Sequence, residues 1–562
     1  MSDQQDSVRR TADVVVIGAG LVGLVMAIDL AQRGASVCVV EQRGPNDLPP
    51  GSCNHVSART METYRRLGIV KQVREAGFPA DYPHDIAFVT AVTGKEMSRI
   101  RIPSRADRYT SKIGPDTDWP TPEPPHRINQ RFLNPLLDEL ARAYSQIEII
   151  NEAKFIGYRE SQDGVYTTIR HKGGKRDEIL FSRYVVGCDG ARSSVRRAID
   201  AQLEGVPVVG QNAQMLIRAP DLINLLPNGP AWNFNVTNPR RIGSAMAVDG
   251  RELWLVRGLL GPNETPEGLD RDTFIRNVLG VGEDFKYTIE SIDDYTRRRL
   301  VADRFRKSRV FIASDAAHIW PPTAGYAMNT GVADGMNLSW MLSAVIAGWA
   351  PPALLDAYEA ERHPLTTQVS HFVVDFWSEG VRNQMALPPE LEADGPAGEA
   401  ARAALGEALA TRNTAQYACK GLNFGYFYDQ SPIIAYDGGT APPFSMDQYT
   451  PSTVPGCRAP HLWLDDGRSL YDALGAGYSL LRSDPSVEAG PLVQAASDKQ
   501  LPLTLVEVTG PDRAQLYPEA LVLVRPDGHI AWRGGACPVE PDHLIDVVTG
   551  RVHAQGRDRS GG

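Results

Sequence analysis

Six residues, Gly18-Ala19-Gly20-Leu21-Val22-Gly23, constrain this chain more than any other feature, because of what flanks them. Asp13 to Ile17 is a short β-branched run suited to a strand buried on both faces of a parallel sheet. A helical pattern follows through Leu24, Ala27, Ile28, Leu30 and Ala31, stops at Gly34, and gives way to a second run, Val37 to Val40, that ends at Glu41. Strand, helix and strand at this spacing predict a dinucleotide-binding unit. Gly18 permits the tight turn, Gly20 lets backbone amides approach a pyrophosphate, and Gly23 lets the helix pack closely on the strand. The helix N-terminus faces the negative charge, and Glu41 is placed to accept hydrogen bonds from ribose hydroxyls. Such a fingerprint takes either a nicotinamide cofactor or the ADP half of FAD.

Later segments decide between the two. Ser57-Ala58-Arg59-Thr60 opens a helix with Ser57 as N-cap and Leu67-Gly68 at its end; Arg59 reads either as a cofactor contact or as an exposed charge. Tyr184 to Gly187 is a second apolar strand, running into Cys188-Asp189-Gly190 and a helix start that Ser193 can cap. Arg309 to Ala313 is a third, running into Ser314-Asp315, then Pro321, Pro322, Gly325, Asn329 and Gly331, and a helix from about Val332 to Ala347. An aspartate at a strand end suits hydroxyl recognition, and a glycine-containing helix entry offers amides to a polar ring edge.

In this order and at these separations the three segments resemble the class A FAD-dependent aromatic hydroxylases, the flavoprotein monooxygenases of the phenol hydroxylase and para-hydroxybenzoate hydroxylase kind. His318-Ile319-Trp320-Pro321-Pro322-Thr323 is especially similar to the latter. The resemblance implies FAD held by Gly18, Gly20, Gly23, Glu41, Arg59, Gln130, Arg131, Asp189, Asp315, Gly325, Met328 and Asn329, with Pro322 next to substrate and flavin. It also implies that NAD(P)H reduces the flavin and that a flavin C4a-hydroperoxide hydroxylates a phenolic or other electron-rich ring. A phenol ionises near ~10, so assisting its ionisation by a few units is worth several kcal/mol, about 1.4 per unit. His55, His318 and Tyr326 are the candidate bases, with His318 also readable as a structural residue and Tyr326 as a packing ring. Two departures from the family pattern stand out: its Gly-Asp is Ser314-Asp315, and its Gly-Gly-Gln-Gly-Met-Asn run is Ala324-Gly325-Tyr326-Ala327-Met328-Asn329. Baeyer–Villiger or epoxidising oxygen insertion, and a non-catalytic flavin-binding redox sensor, are the alternatives.

The expected fold is α/β: a Rossmann-like FAD-binding domain (1–83, 126–200 and 301–387) interleaved with a β-sheet substrate domain (84–125 and 201–300). Val89, Ala91, Met97 and Ile100, with Ala245, Ala247, Leu253, Leu255 and Val256, suggest strands of one sheet, and Trp232, Phe234, Met246 and Trp254 are either pocket walls or core. Residues 388–448 read as a linker with a modest helix, and Arg297-Arg298-Arg299 as a solvated run. Residues 449–562, with strand runs at Leu503 to Val508 and Ala520 to Val524 and a turn at Pro526-Asp527-Gly528, resemble a thioredoxin-like C-terminal domain. Cys457 and Cys537 stand alone, so that domain reads as structural, with a homodimer interface as one role.

A length of 562 residues suggests about three compact units. A net charge of −10 argues against a generic grip on nucleic acid or anionic membranes. The longest apolar stretch, Leu338 to Ala350, falls short of the ~20 residues that span a bilayer, and the polar N-terminus lacks a secretory pattern, so a cytoplasmic protein is expected. The six cysteines, Cys53 among them, and eleven histidines show no metal-ligand spacing, so no metal is expected. The partners expected are a small aromatic substrate and molecular oxygen.

Overall fold

The computed structural model describes residues 8–48, 54–174, 177–322, 325–384 and 387–552, so Cys53, Thr323 and Ala324 lie outside the described residues. The β-branched runs read from the sequence pair in parallel. Val310–Ile312, Asp177–Gly187, Arg10–Ile17, Val37–Val40 and Ile147–Ile150 lie side by side in that order. Val14, Val15 and Val16 are fully buried between helical layers, as a near-continuous apolar strand requires. Helix Leu21–Gln32, buried from Leu21 to Ala31, and helix Tyr326–Ala347 pack on one another over this sheet.

The second helix begins six residues before the position its sequence pattern suggests. Asn329 and Thr330, residues that favour turns, are held inside it by side-chain hydrogen bonds to the Gly325 and Tyr326 carbonyls, at 2.6 and 2.8 Å.

The second sheet unites Ile86–Val89 and Glu96–Ile100 with Leu203–Arg218, Asn233–Thr237, Ile242–Ala247, Leu253–Leu259 and Tyr295–Ala302. One face, carrying Met215, Phe234 and Val256, is sealed by Phe274, Ile275 and Val278 of helix Arg271–Leu279. Its last member, His318–Ile319, pairs with Tyr295–Ala302 and joins this sheet directly to the segment after Ser314-Asp315. Trp232, Phe234, Met246 and Trp254 are all buried in this unit's core.

Two expectations need correction. Residues 388–448 are more than a linker: they carry the 22-residue helix Pro396–Tyr417, whose Gly406 packs on the Met97 carbonyl and receives the Ser98 hydroxyl. The arginine run is not solvated throughout, because strand alternation turns Arg298 outward and Arg297 and Arg299 to the other face, where Arg297 Nε donates to Asn212 at 2.9 Å.

The C-terminal unit is thioredoxin-like. Tyr478–Arg482 lies parallel to Leu503–Glu507 and antiparallel to Leu521–Val524, which pairs with Ile530–Gly534; helices Gly490–Asp498 and Pro541–Val548 pack together beside the sheet. Among the described residues no helix is long and apolar enough to cross a membrane.

Candidate functional site

A parallel sheet brings the C-terminal ends of its strands to one edge, and this edge gathers the separated motifs. Ile17 is in register with Gly187 and Val40, and Gly187 with Ile312. The ladder runs into the turns themselves: Gly18 N–H donates to Val40, Cys188 N–H to Ile17, Ala313 N–H to Gly187 and Glu41 N–H to Ile150. Gly18, Glu41, Asp189 and Asp315, up to 297 residues apart in the chain, thereby share one rim, the usual ligand position in an open α/β sheet.

The three fingerprint glycines have distinct reasons for being glycine. Gly18 has φ +109°, and a Cβ there would lie 2.4 Å from the Cys188 oxygen; one on Gly23 would lie 2.1 Å from the Gly18 oxygen. A Cβ on Gly20 would meet nothing within 4 Å among the described residues, so the space above the helix N-terminus is open at that point. The first two glycines are demanded by packing and the middle one by open room, which is how a pyrophosphate cradle divides the work.

Asp315 is half-buried, and its carboxylate accepts no hydrogen bond among the described residues. Desolvation raises it above the usual carboxylate range, with the nearby His318 opposing. A desolvated carboxylate without a donor is costly unless something supplies one, and a sugar or ribityl hydroxyl is the chemistry that fits. The residue before it, Ser314, has φ +59°, so the site normally given to glycine is filled by a serine in the left-handed region. Gly331 makes room: a Cβ on it would lie 2.5 Å from the serine Oγ.

Glu41 is buried and accepts from the Ala19 amide at 2.8 Å and from the Arg43 amide and guanidinium. Burial works against its charge, but the Arg43 and Ala19 hydrogen bonds hold it below the usual carboxylate range. Asp189 braces the start of helix Ser194–Ala198, whose N-cap is Ser193, by accepting from the Ser194 amide at 2.6 Å and the Val195 amide at 3.2 Å, so its carboxylate fixes the turn.

Gln130 and Arg131 open helix Gln130–Arg142, capped by Asn129. One turn on, Asn134 donates to the Ala19 carbonyl at 3.2 Å and ties this helix to the glycine turn. The sequence reading missed Asn134 and Arg43. Asn134 had a signal, lying four residues after Gln130 on the same helix face; Arg43 had none.

Gly325, Met328 and Asn329 sit where the helix Tyr326–Ala347 begins. Gly325 has φ +65° and packs against the His55 ring, and Met328 packs on the main core. Asn329 accepts from the Ser57 amide and the Thr60 hydroxyl and donates to the His55 carbonyl, so it fastens this helix to helix Ala58–Arg66. Pro322 is half-buried, one turn before Gly325.

Three expected roles change. Arg59 reaches the C-terminal unit, donating to the Asp527 carbonyl at 2.9 Å and lying over the Tyr426 ring. The Tyr326 hydroxyl, buried, donates to the Leu422 carbonyl, so it is tied to the core. His55 is buried with its Nδ1 against the Arg127 guanidinium; burial and the charges of Arg127 and Arg108 push its pKa well below the usual histidine range, which makes it a weak base. His318 likewise holds Asp334 through Nε2 at 2.7 Å and stacks on Trp320, a structural arrangement.

Comparison with known proteins agrees with this layout. Residues 11–373 match the family model described as FAD binding domain, and residues 452–551 the one described as aromatic-ring hydroxylase, C-terminal. The FAD-dependent monooxygenase apdD of Emericella nidulans is 30% identical, over 97% of this chain and 92% of its own length. The 2,4-dichlorophenol 6-monooxygenase of Cupriavidus pinatubonensis is 29% identical, over 97% and 96%. Among solved structures, the rebeccamycin biosynthetic enzyme RebC with reduced flavin superposes with a TM-score of 0.85 at 33% identity, covering 96% of this chain and 99% of that one.

Proposed function

The chain belongs to the FAD-dependent aromatic-ring hydroxylases, flavoprotein monooxygenases, and on that premise we propose that it hydroxylates a phenolic or similarly electron-rich aromatic substrate with NAD(P)H and molecular oxygen. The observation that carries the reading is the shared rim, with open room at Gly20 and, among the described residues, an unpartnered carboxylate at Asp315. FAD held at this rim would supply the redox chemistry that no side chain of the protein can provide.

The chain's own residues hold, orient and shield. The amides at the start of helix Leu21–Gln32 would hold the pyrophosphate, Asp315 a ribityl hydroxyl and Glu41 the adenosine ribose. Pro322, Gly325 and the helix entry held by Asn329 would border the flavin ring, and the second sheet would close over the substrate and keep out water. None of His55, His318 and Tyr326 is set up to take a phenolic proton. Arg127, buried, lying over the Trp232 ring, 3.5 Å from the Asp116 carboxylate and with its Nε unpartnered among the described residues, is the group whose positive charge would favour the phenolate.

The test is anaerobic mixing of the FAD-loaded protein with NADH or NADPH across a panel of phenols, followed by turnover under ¹⁸O2. Substrate-dependent bleaching of the flavin and one labelled oxygen in the product are expected. Bleaching without label in any product would leave a reductase or sensor.

A further inference from the structure

The turn that carries Asp315 is held in a conformation its residues do not favour. Ser314 has φ +59°, a left-handed backbone in which an L side chain is crowded and glycine is not. On its N-terminal side Ala313 is still in the sheet ladder, donating to Gly187 at 3.0 Å. On its C-terminal side the Ser314 carbonyl accepts from Ala317 at 2.7 Å and closes a single 3₁₀ turn, Ser314–Ala316.

The bond to the Ser314 amide itself comes from a different element. That N–H donates to Asp334 Oδ2 at 3.1 Å, and the same oxygen accepts from His318 Nε2 at 2.7 Å. One carboxylate oxygen of helix Tyr326–Ala347 therefore pins both ends of segment 314–318, with Asp315 between them. The other oxygen takes Arg362 Nε at 2.8 Å, and Asp334, His318 and Arg362 are all buried. Burial opposes the charge on Asp334, but Arg362 and His318 hold it below the usual carboxylate range. Both its oxygens are engaged, so this carboxylate acts by holding other groups. The same helix shapes its surface to the turn, since a Cβ on Gly331 would lie 2.5 Å from the Ser314 Oγ.

We propose that Asp334 is a positioning residue of the flavin site: by tying the Ser314 amide and the His318 ring to one oxygen, it does for this serine what glycine would do unaided, and so keeps the Asp315 carboxylate at the rim. It acts through Ser314 and touches no ligand. The assignment rests on the placement of Asp315 at the flavin.

Asp334→Asn keeps the shape and removes the charge. Its single carbonyl oxygen goes to Arg362, which leaves the amide nitrogen facing the Ser314 N–H, donor against donor, whereas His318 can present a bare ring nitrogen by changing tautomer. The flavin-depleted full chain carrying this change, titrated with FAD, is expected to bind roughly 10- to 30-fold more weakly than the parent. Adding Ser314→Gly restores binding to within about threefold, because glycine takes a positive φ without a tether. The melting temperature of the flavin-free protein falls with Asp334→Asn and is not recovered by the glycine, since the Arg362 charge still lacks its partner. That split separates positioning from a role in the core alone, which Ser314→Gly could not repair.

If the single variant does not fold, Asp334→Asn with Arg362→Met leaves no buried guanidinium alone and carries the same expectation. Gly331→Ala presses on Ser314 without touching the charges; it too should weaken FAD binding and be rescued by Ser314→Gly. Binding unchanged by Asp334→Asn, or a deficit that Ser314→Gly leaves in place, overturns the assignment. Asp315→Asn tests the underlying placement separately: undiminished FAD binding by that variant counts against the rim reading, while a weakened Asp315→Asn with no rescue by Ser314→Gly overturns this inference alone.

Discussion

The rim of the flavin-binding sheet and the seam where the C-terminal unit docks both bury charge, and they treat it in opposite ways. At the rim, among the described residues, Asp315 has no donor and a Cβ on Gly20 would meet nothing within 4 Å. At the seam Arg525, fully buried, grips Glu361 through both terminal nitrogens and Asp527 at 2.6 Å; Asn337 donates to Glu361 at 2.7 Å, and Ser431 adds a further bond. Nearby, Arg362 holds Asp334, which accepts from the Ser314 amide and His318. A buried charge left open marks a place built for a ligand, while one closed on every side marks a joint.

The sharpest break with this comparison would come from the glycine rim. Gly23→Val sets a side chain against the Gly18 carbonyl, where even a Cβ falls at 2.1 Å, so a loss of more than about 4 kcal/mol is expected; soluble yield and the ratio of flavin to protein absorbance measure it, and a normally yellow variant would refute the packing role. At the seam, Glu361→Ala leaves Arg525 buried without its main partner and should cost about 3–5 kcal/mol in denaturant unfolding. The double variant Glu361→Leu with Arg525→Met should recover most of that loss, because no buried charge is left alone.

The histidines near the substrate sheet give a pH dependence of known sign. Burial, with the charges of neighbouring arginines, pushes His55, His84 and His126 well below 6.5. Unfolded histidines titrate near ~6.5, so their stabilising contribution is complete above that pH and is lost as pH falls below it, by about 1.4 kcal/mol per histidine for each unit. Melting temperatures between pH 7.5 and 5 should fall steeply in acid, and His84→Gln should flatten the slope.

A smaller effect separates ligand from joint most cleanly. Asp315→Asn removes an unsatisfied charge, so the flavin-free protein should melt unchanged or higher by up to about 1 kcal/mol, while flavin affinity falls roughly tenfold. Parallel melts of apo- and holoprotein with a flavin titration show whether both shifts occur together. Smallest of all, Cys537→Ser should leave stability within about 0.5 kcal/mol and reductant consumption unchanged. Burial raises the Cys457 thiol to about 11 and lifts that of Cys537 as well, and neither has a cysteine partner among the described residues, so neither is a ready thiolate.

What the sequence determined alone is local: the fingerprint turn, Ser57 and Ser193 as helix caps, the strands at Val37–Val40 and Leu521–Val524, and the family itself, because glycine, cap and β-branched signals act over a few residues. Which polar side chains stay free was beyond it. Asp189 turned to a helix, Arg59 to the C-terminal unit and Tyr326 to a backbone carbonyl, while Asp315 stayed open and Arg297 turned inward. A charged residue's partner is fixed by contacts made hundreds of residues away, as Arg59 and Asp527 show, and only the packed fold brings such groups within hydrogen-bond reach.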